Sequence, residues 1–369
     1  MLLTLFLGII NPALYIIIPF LLPVNAAIHY INKRKVNIYI YSIPLLLTLN
    51  KIAKVFTKTK ELASISKEVS PSIEVIDKIK RRVAVFKLEQ KIESDLEVIY
   101  WFLLEIIKIS FLLEPLLLYS IVETLRKDQK EIETVFEYVG QVDMLLAIAS
   151  LRNGLEDYCL PNISKENTLS ATSMRHPLVA NCVPNDIQPS QNSYLITGSN
   201  MSGKTTYIRA IGLNYISGLV LNTCFAEKFN MPYAKLKTVI RISDDIADAS
   251  SYFFKEIAAM KAIMNECNND TPQIVLLDEL FKGTNTVERI SSAKAILSYL
   301  NRHNCIVFVS THDLELTALL TGEYDLFHFS EAVKENEVQF DYRLKGGVLE
   351  KGNAIKILSI NGCLLYTSD

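Results

Sequence analysis

The stretch LITGSNMSGKTTYIRAIGLN, Leu195 to Asn214, limits the fold more than any other part of the chain. Tyr194 to Thr197 read as a buried strand, and a helical pattern opens at Thr205. Between them lies Gly198-x-x-x-x-Gly203-Lys204-Thr205. Strand, glycine loop and helix in that order make a βα unit whose loop backbone can turn its N–H groups towards phosphate oxygens, at a helix end that favours anions. The expected cradle is Gly198, Ser199, Asn200, Met201, Ser202, Gly203, Lys204, Thr205 and Thr206. Lys204 should reach the β- and γ-phosphates of ATP and assist catalysis there, and the Thr205 hydroxyl should ligate Mg²⁺.

Two more apolar runs end in groups that suit the same chemistry. IVLLDE, Ile274 to Glu279, ends in two carboxylates. Asp278 is placed to hold Mg²⁺, and Glu279 to orient or deprotonate an attacking water. CIVFVSTHD, Cys305 to Asp313, brings a strand to His312, which can sense the γ-phosphate. Alone, His312 reads first as an ordinary strand-end histidine; its company changes that reading. Together with SYLITG and KTVIRIS, these runs alternate with helical patterns, which predicts a mostly parallel α/β sheet. All three groups fall at carboxyl ends of strands, where such sheets bind ligands.

At this point the residues resemble a known family. TGSNMSGKTTYIR is similar to the phosphate loop of the MutS ATPases, and DELFKGTNTVER to their segment around the magnesium-binding Asp and the following Gly-Thr turn. SDDIADASSYFFKEI resembles their signature segment, MRHPL the motif opening their ATPase domain, and EYVGQVDMLLAIASLR the end of the helical core before it. The likeness covers roughly residues 130–360, and FKGTNT and STHDLELT look closer to MutS-related proteins with membrane-like N-termini.

The resemblance implies an ABC-like P-loop NTPase (the MutS domain V fold) behind an all-α core or lever domain. It implies a dimer in which Ser251 reaches the nucleotide of the facing copy, and in which the Gly283–Thr284 turn crosses the interface. From its residue type alone, Ser251 is also a helix N-cap, and the two roles are compatible. ATP would close the dimer and hydrolysis would release it. The role implied is DNA mismatch repair, or binding of mismatched or structured DNA. A different class stays open: a membrane-anchored, ATP-driven switch that binds no DNA.

The sequence also departs from the family. Ser199 replaces the loop proline. The aromatic that stacks on adenine has no clear equivalent after the MRHPL motif, where NCVPND offers Cys182 or Val183. The Phe-x-Glu wedge of mismatch readers has no counterpart, because FKE at Phe254 to Glu256 falls inside the ATPase part.

Outside these motifs the chain is helical and apolar. Residues 1–28 carry no charge and hold sixteen Leu, Ile, Val or Phe. On an insertion scale these favour a membrane helix by about −5 to −10 kcal/mol. A span over 1–30 is expected, anchoring the chain in the cell membrane with the ATPase part in the cytoplasm behind Lys33, Arg34 and Lys35. A buried helical hairpin and a cleaved signal peptide are the alternatives, the latter disfavoured because no basic region precedes the apolar run. Val98 to Val122 is as apolar but carries Glu105, Lys108 and Glu114, which cancels the gain, and reads as a long core or partner-facing helix. Val135, Tyr138, Val142, Leu145 and Leu146 keep helical spacing.

LPNISKEN, Leu160 to Asn167, reads as a linker, so the expected domains are 1–30, 31–160 and 161–362. Residues 363–369, which back-translate to the end of a transposon adapter, read as a non-native tail. A net charge of −2 gives no global basic field, although residues 51–91 are mildly basic and could touch phosphate. Six scattered cysteines without a C-x-x-C pair argue against a zinc site or a disulfide framework and suit a reducing compartment.

Overall fold

The computed structural model describes residues 18–83, 105–190, 193–199, 201–240, 252–267, 271–281, 284–334 and 337–349, with isolated positions 9, 16 and 102. Asn200, Ser251, Gly283 and the 363–369 tail lie outside the described residues, as does nearly all of 1–17. The chain divides between Ser150 and Leu151 into two compact units.

The first unit is helical. Helix α1 runs Ile18–Phe56, passing without interruption through Lys33, Arg34 and Lys35, and α2 covers Ser70–Val83. α3 is Leu113–Lys127 and α4 is Gln129–Asn153. Ala53, Ile73, Ile76, Val135, Tyr138 and Val142 share one buried cluster. The expected stripe on α4 is therefore buried at Val135, Tyr138 and Val142, with Val139 beside them, whereas Leu145 and Leu146 are exposed. Asn50 and Lys54 on α1 both bond Asp77 on α2.

The N-terminal part of α1 carries buried polar groups. Asn25 Nδ2 donates to the Ser110 carbonyl at 2.8 Å, and His29 Nε2 lies 3.5 Å from Glu105 Oε1. The 98–122 stretch is not one helix: residues 105–111 are helical, Leu112 turns left-handed at φ 52°, and α3 begins after it. Pro115, two residues into α3, suits a helix start and not a helix interior. Among the described residues, the helix long and apolar enough to cross a membrane is α4, which buries four side chains in the helical core.

Among the described residues, the second unit holds twelve strands in three sheets. β1 (Asn162–Ser164), β2 (Leu169–Met174), β3 (Asn185–Ser190) and β5 (Lys228–Pro232) form a mixed sheet in the order β1-β5-β2-β3. β4 is Ser193–Thr197, β6 Lys235–Val239, β7 Gln273–Asp278, β8 Cys305–Ser310, β9 Tyr324–His328 and β12 Lys345–Gly346. They form the main sheet in the order β12-β9-β4-β8-β7-β6, parallel except for edge strand β12. β10 (Glu331–Lys334) and β11 (Glu337–Phe340) make a separate hairpin.

The main sheet is buried on both faces, as parallel sheets require. Ile274 and Leu276 enter one cluster with Ile208, Ile211 and Tyr215 of helix α5 (Lys204–Leu221). Val275 and Leu277 enter the other, with Met260 of α6 (Tyr252–Cys267) and Leu297 and Leu300 of α7 (Thr286–Asn301). The period of two in each apolar run is what sends alternate residues to opposite faces. The register pairs Ile196 and Asp278 with Ser310, so β4, β7 and β8 end level. Three loops therefore leave one edge of the sheet together.

The predicted strands form, with adjusted limits: β6 starts at Lys235 and ends at Val239. The stretch expected to be a linker contains β1, paired in parallel with β5. Its polar sequence, Asn-Ile-Ser, gives no alternation to recognise, because this is an exposed edge strand.

Candidate nucleotide-binding site

After Thr197 the chain turns at Gly198, whose φ is 144°. A Cβ there would sit 2.6 Å from the Phe329 carbonyl oxygen, so no side chain fits. The Ser202 hydroxyl donates to the Ser199 carbonyl at 2.8 Å, closing the loop, while Met201 points to solvent. Gly203, at φ 110°, hands over to α5. Lys204 is the first residue of that helix and is buried, yet its ammonium is not stranded. Its Nζ donates to the carbonyls of Gly198 and Ser199, both at 2.8 Å. The charge is thus bent back over the loop, where it meets whatever the loop cradles.

Thr205 points to the next strand end. Its hydroxyl lies 3.0 and 3.1 Å from the two carboxylate oxygens of Asp278. Ser310 Oγ also donates to Asp278, so two hydroxyls fix this carboxylate. A hydroxyl and a carboxylate together are hard oxygen donors of the kind Mg²⁺ takes from proteins, which supply few of its ligands. The donor set fits that ion.

Glu279 follows with φ 54°, a left-handed conformation that costs a non-glycine residue about 1–3 kcal/mol. Its N–H still bonds the Ser310 carbonyl at 3.0 Å, extending the ladder by one residue. Its Oε1 is 2.8 Å from His312 Nε2, and that same nitrogen is 3.5 Å from Lys204 Nζ. The shorter contact decides the tautomer: a carboxylate only accepts, so Nε2 carries the proton and cannot also accept from Lys204. Lys204, Glu279 and His312 therefore meet at one point, beside the Thr205–Asp278 pair.

Next to the loop lies a cavity of about 320 Å³, bounded by His176, Cys182, Val183, Thr206, Phe329 and Tyr342 among others. Burial, with the Arg209 charge adding to it, holds His176 below its ordinary 6.5, so the cavity wall is a neutral imidazole at pH 7.

Comparison with known proteins agrees with this geometry. MutS domain V, a protein-family model, matches residues 194–363. The DNA mismatch repair protein MutS of Pseudothermotoga lettingae is 32% identical over 238 residues, covering 61% of this chain and 29% of that protein. MutS of Oceanobacillus iheyensis is 31% identical over 296 residues (76% and 33%), and that of Clostridioides difficile 26% over 297 (78% and 29%). The chain belongs to the MutS family. It spans about a third of the length of the curated relatives it matches.

Within this MutS-family site the structure brings together Gly198, Ser199, Ser202, Gly203, Lys204, Thr205, Asp278, Glu279 and His312, and Thr206 lines the neighbouring cavity. Ser199, in the place of the family's proline, donates from its hydroxyl to Glu331 Oε2 at 2.7 Å. Cys182 and Val183 do border the cavity, but the aromatic surface comes from Tyr207, Phe329 and Tyr342. Tyr342 escaped the sequence reading because it is far downstream of the loop. Only the fold brings it there, where the Asn185 side chain bonds the Tyr342 carbonyl at 2.9 Å and the Leu344 N–H at 2.7 Å.

Proposed function

We propose that this chain binds ATP with Mg²⁺ and hydrolyses it, working as a dimer whose two ATPase units share their nucleotides. One observation carries the reading: Lys204, the Thr205–Asp278 pair and the Glu279–His312 pair converge at the level ends of β4, β7 and β8. Lys204 and the loop N–H groups bind the phosphates. Thr205 and Asp278 are the residues that would hold Mg²⁺, which neutralises phosphate charge when bound. Glu279 takes the proton of the attacking water. His312 orients Glu279 through its Nε2–H and faces the γ-phosphate. The adenine lies in the cavity against Tyr342.

Ser251 serves the facing copy, on the family resemblance. The ATP-bound dimer is closed, and loss of the γ-phosphate opens it, because the two states differ in contacts to that group. Relatives named as DNA mismatch repair proteins support mismatched or structured DNA as the partner, and in this reading the ATPase unit lies in the cytoplasm. A second reading, a membrane-anchored switch that does not bind DNA, is favoured by the exposed Phe20, Val24, Tyr30 and Ile31 on α1.

Steady-state hydrolysis by the full chain, with and without a panel of homoduplex, mismatched and branched DNA, tests both readings. Stimulation by one of these DNAs is expected. Hydrolysis that no DNA changes would favour the switch. Lys204→Ala should abolish nucleotide binding, and Glu279→Gln should keep binding while reducing turnover by roughly 10²- to 10⁴-fold. Wild-type turnover in Glu279→Gln would remove Glu279 from the role of base.

A further inference from the structure

Arg289 and Asp313 form a two-pronged ion pair just behind the site. Arg289 Nε is 2.8 Å from Asp313 Oδ2, and Nη2 is 2.6 Å from Oδ1. Such a fork fixes the mutual orientation of two planar groups, which a single contact does not. Both side chains are largely shielded, at 23% and 12% exposure, so the pair is screened less than a surface bridge. Asp313 holds the Arg289 guanidinium above its ordinary value, in keeping with a lasting contact.

The places the fork joins give it meaning. Arg289 is in the first turns of α7, which closes the loop that starts with Glu279. That loop end is fixed: Asn285 caps α7 by accepting from the Glu288 N–H at 3.0 Å, and Thr284 Oγ1 donates to Glu288 at 2.7 Å. Asp313 directly follows His312 in the loop after β8. This second loop is also tied by Thr311 N–H to the Ile196 carbonyl and by Asp313 N–H to Thr311 Oγ1, both at 3.0 Å, and by Leu316 N–H to the Asp313 carbonyl at 3.2 Å. Those bonds anchor its entry but do not link it to the loop of Glu279. His312 itself is 37% exposed, so apart from its contact with Glu279 its ring is only partly enclosed.

We propose that Arg289 and Asp313 are positioning residues: their fork clamps the His312 loop to the start of α7 and so keeps His312 on Glu279 during hydrolysis. This rests on the ATPase reading above. Neither residue touches the nucleotide in this scheme, so the clamp acts on turnover and not on binding.

The test is steady-state ATP hydrolysis by the full chain carrying Arg289→Gln or Asp313→Asn, with affinity for a non-hydrolysable ATP analogue measured in parallel. Misplacing a reacting group by about an ångström lowers rates by roughly 10²-fold. The expected result is therefore a kcat reduced roughly 10- to 100-fold, with KM and analogue affinity within about threefold of wild type. The double variant should be no slower than the slower single one, because both remove the same clamp. Arg289→Lys, which keeps the charge and loses the fork, should fall between wild type and Arg289→Gln, and it carries the test if the glutamine variant does not fold. Unchanged kcat in an active protein overturns the clamp alone. Loss of analogue affinity in proportion to kcat overturns it too, since that marks a general structural role. A wild-type chain that binds the analogue but never hydrolyses ATP overturns the ATPase reading, and the clamp with it.

Discussion

Tyr342 stands at the mouth of the cavity with its backbone held left-handed at φ 53°, and its Cδ1 lies 3.4 Å from the point where a Cβ on Gly203 would be. A ring so close to the first residues of α5 can stack on a base while the phosphates stay on the loop. Asn185 clamps both sides of it, bonding the Tyr342 carbonyl and the Leu344 N–H. Stacking of an aromatic side chain on a base contributes roughly 1–3 kcal/mol. Tyr342→Ala should therefore weaken ATP binding by roughly five- to a hundredfold and leave tripolyphosphate binding unchanged. Titration calorimetry with both ligands checks this, and an equal loss for both would mean that the base lies elsewhere. The same residue scale explains Gly198. Its freedom is needed because the Phe329 carbonyl occupies the space of a side chain, so the glycine serves the close approach of the chain just past β9 as much as the turn.

Among the elements, helix α5 joins the loop to the main sheet and to the mixed sheet. Asn214, about three turns after the loop, is fully buried and uses both ends of its amide. Nδ2 donates to the carbonyls of Arg175 and Ala210, and Oδ1 accepts from the Phe225 N–H at 2.6 Å. Asn214→Leu would leave the buried Phe225 N–H and the part-buried Arg175 carbonyl without their Asn214 partner, at a cost of about 1–3 kcal/mol each. Chemical denaturation should show a loss of roughly 2–6 kcal/mol, and a variant within 0.5 kcal/mol of wild type, on the scale of ordinary surface changes, would refute this account.

Why the loop and the strands were readable while other parts were not follows from such details. β4, β7 and β8 are apolar through their middles because both faces are covered, so their sequence carries the signal by itself. The cradle was legible because glycine and lysine at fixed spacing have few other uses. β1 and β12 were illegible because two or three exposed residues make no pattern. Asn214 and the Arg289–Asp313 fork were illegible because their partners come from other elements, and only the fold pairs them. Cysteines behave likewise: scattered in sequence, Cys159 and Cys224 pair through their backbone N–H and C=O groups, and the Cys305 thiol donates to the Cys267 sulfur, all of them free thiols. The left-handed turn at Leu112 hid inside an apolar run whose composition continues across the break.

At the scale of the whole molecule, the proposed cycle ties association to the state of the nucleotide. If each copy completes the other's site, then the γ-phosphate is a bridge between copies, and its removal costs the dimer that contact. Two variants separate this from simple binding. Lys204→Ala loses the main counter-charge for the phosphates, so it should sediment as a monomer with or without ATP. Glu279→Gln keeps Lys204, Thr205 and Asp278 and loses only the group that takes the water's proton, so ATP should accumulate on it and hold the closed dimer. A differential contact of about 2.7 kcal/mol already shifts an equilibrium by roughly a hundredfold. Sedimentation velocity of Glu279→Gln with ATP·Mg²⁺ should then show dimer at protein concentrations where the nucleotide-free protein is monomeric, and Ser251→Ala added to it should restore monomer. If Glu279→Gln sediments identically with and without ATP, the nucleotide does not control association, and the convergence of Lys204, Asp278 and Glu279 serves chemistry within a single copy.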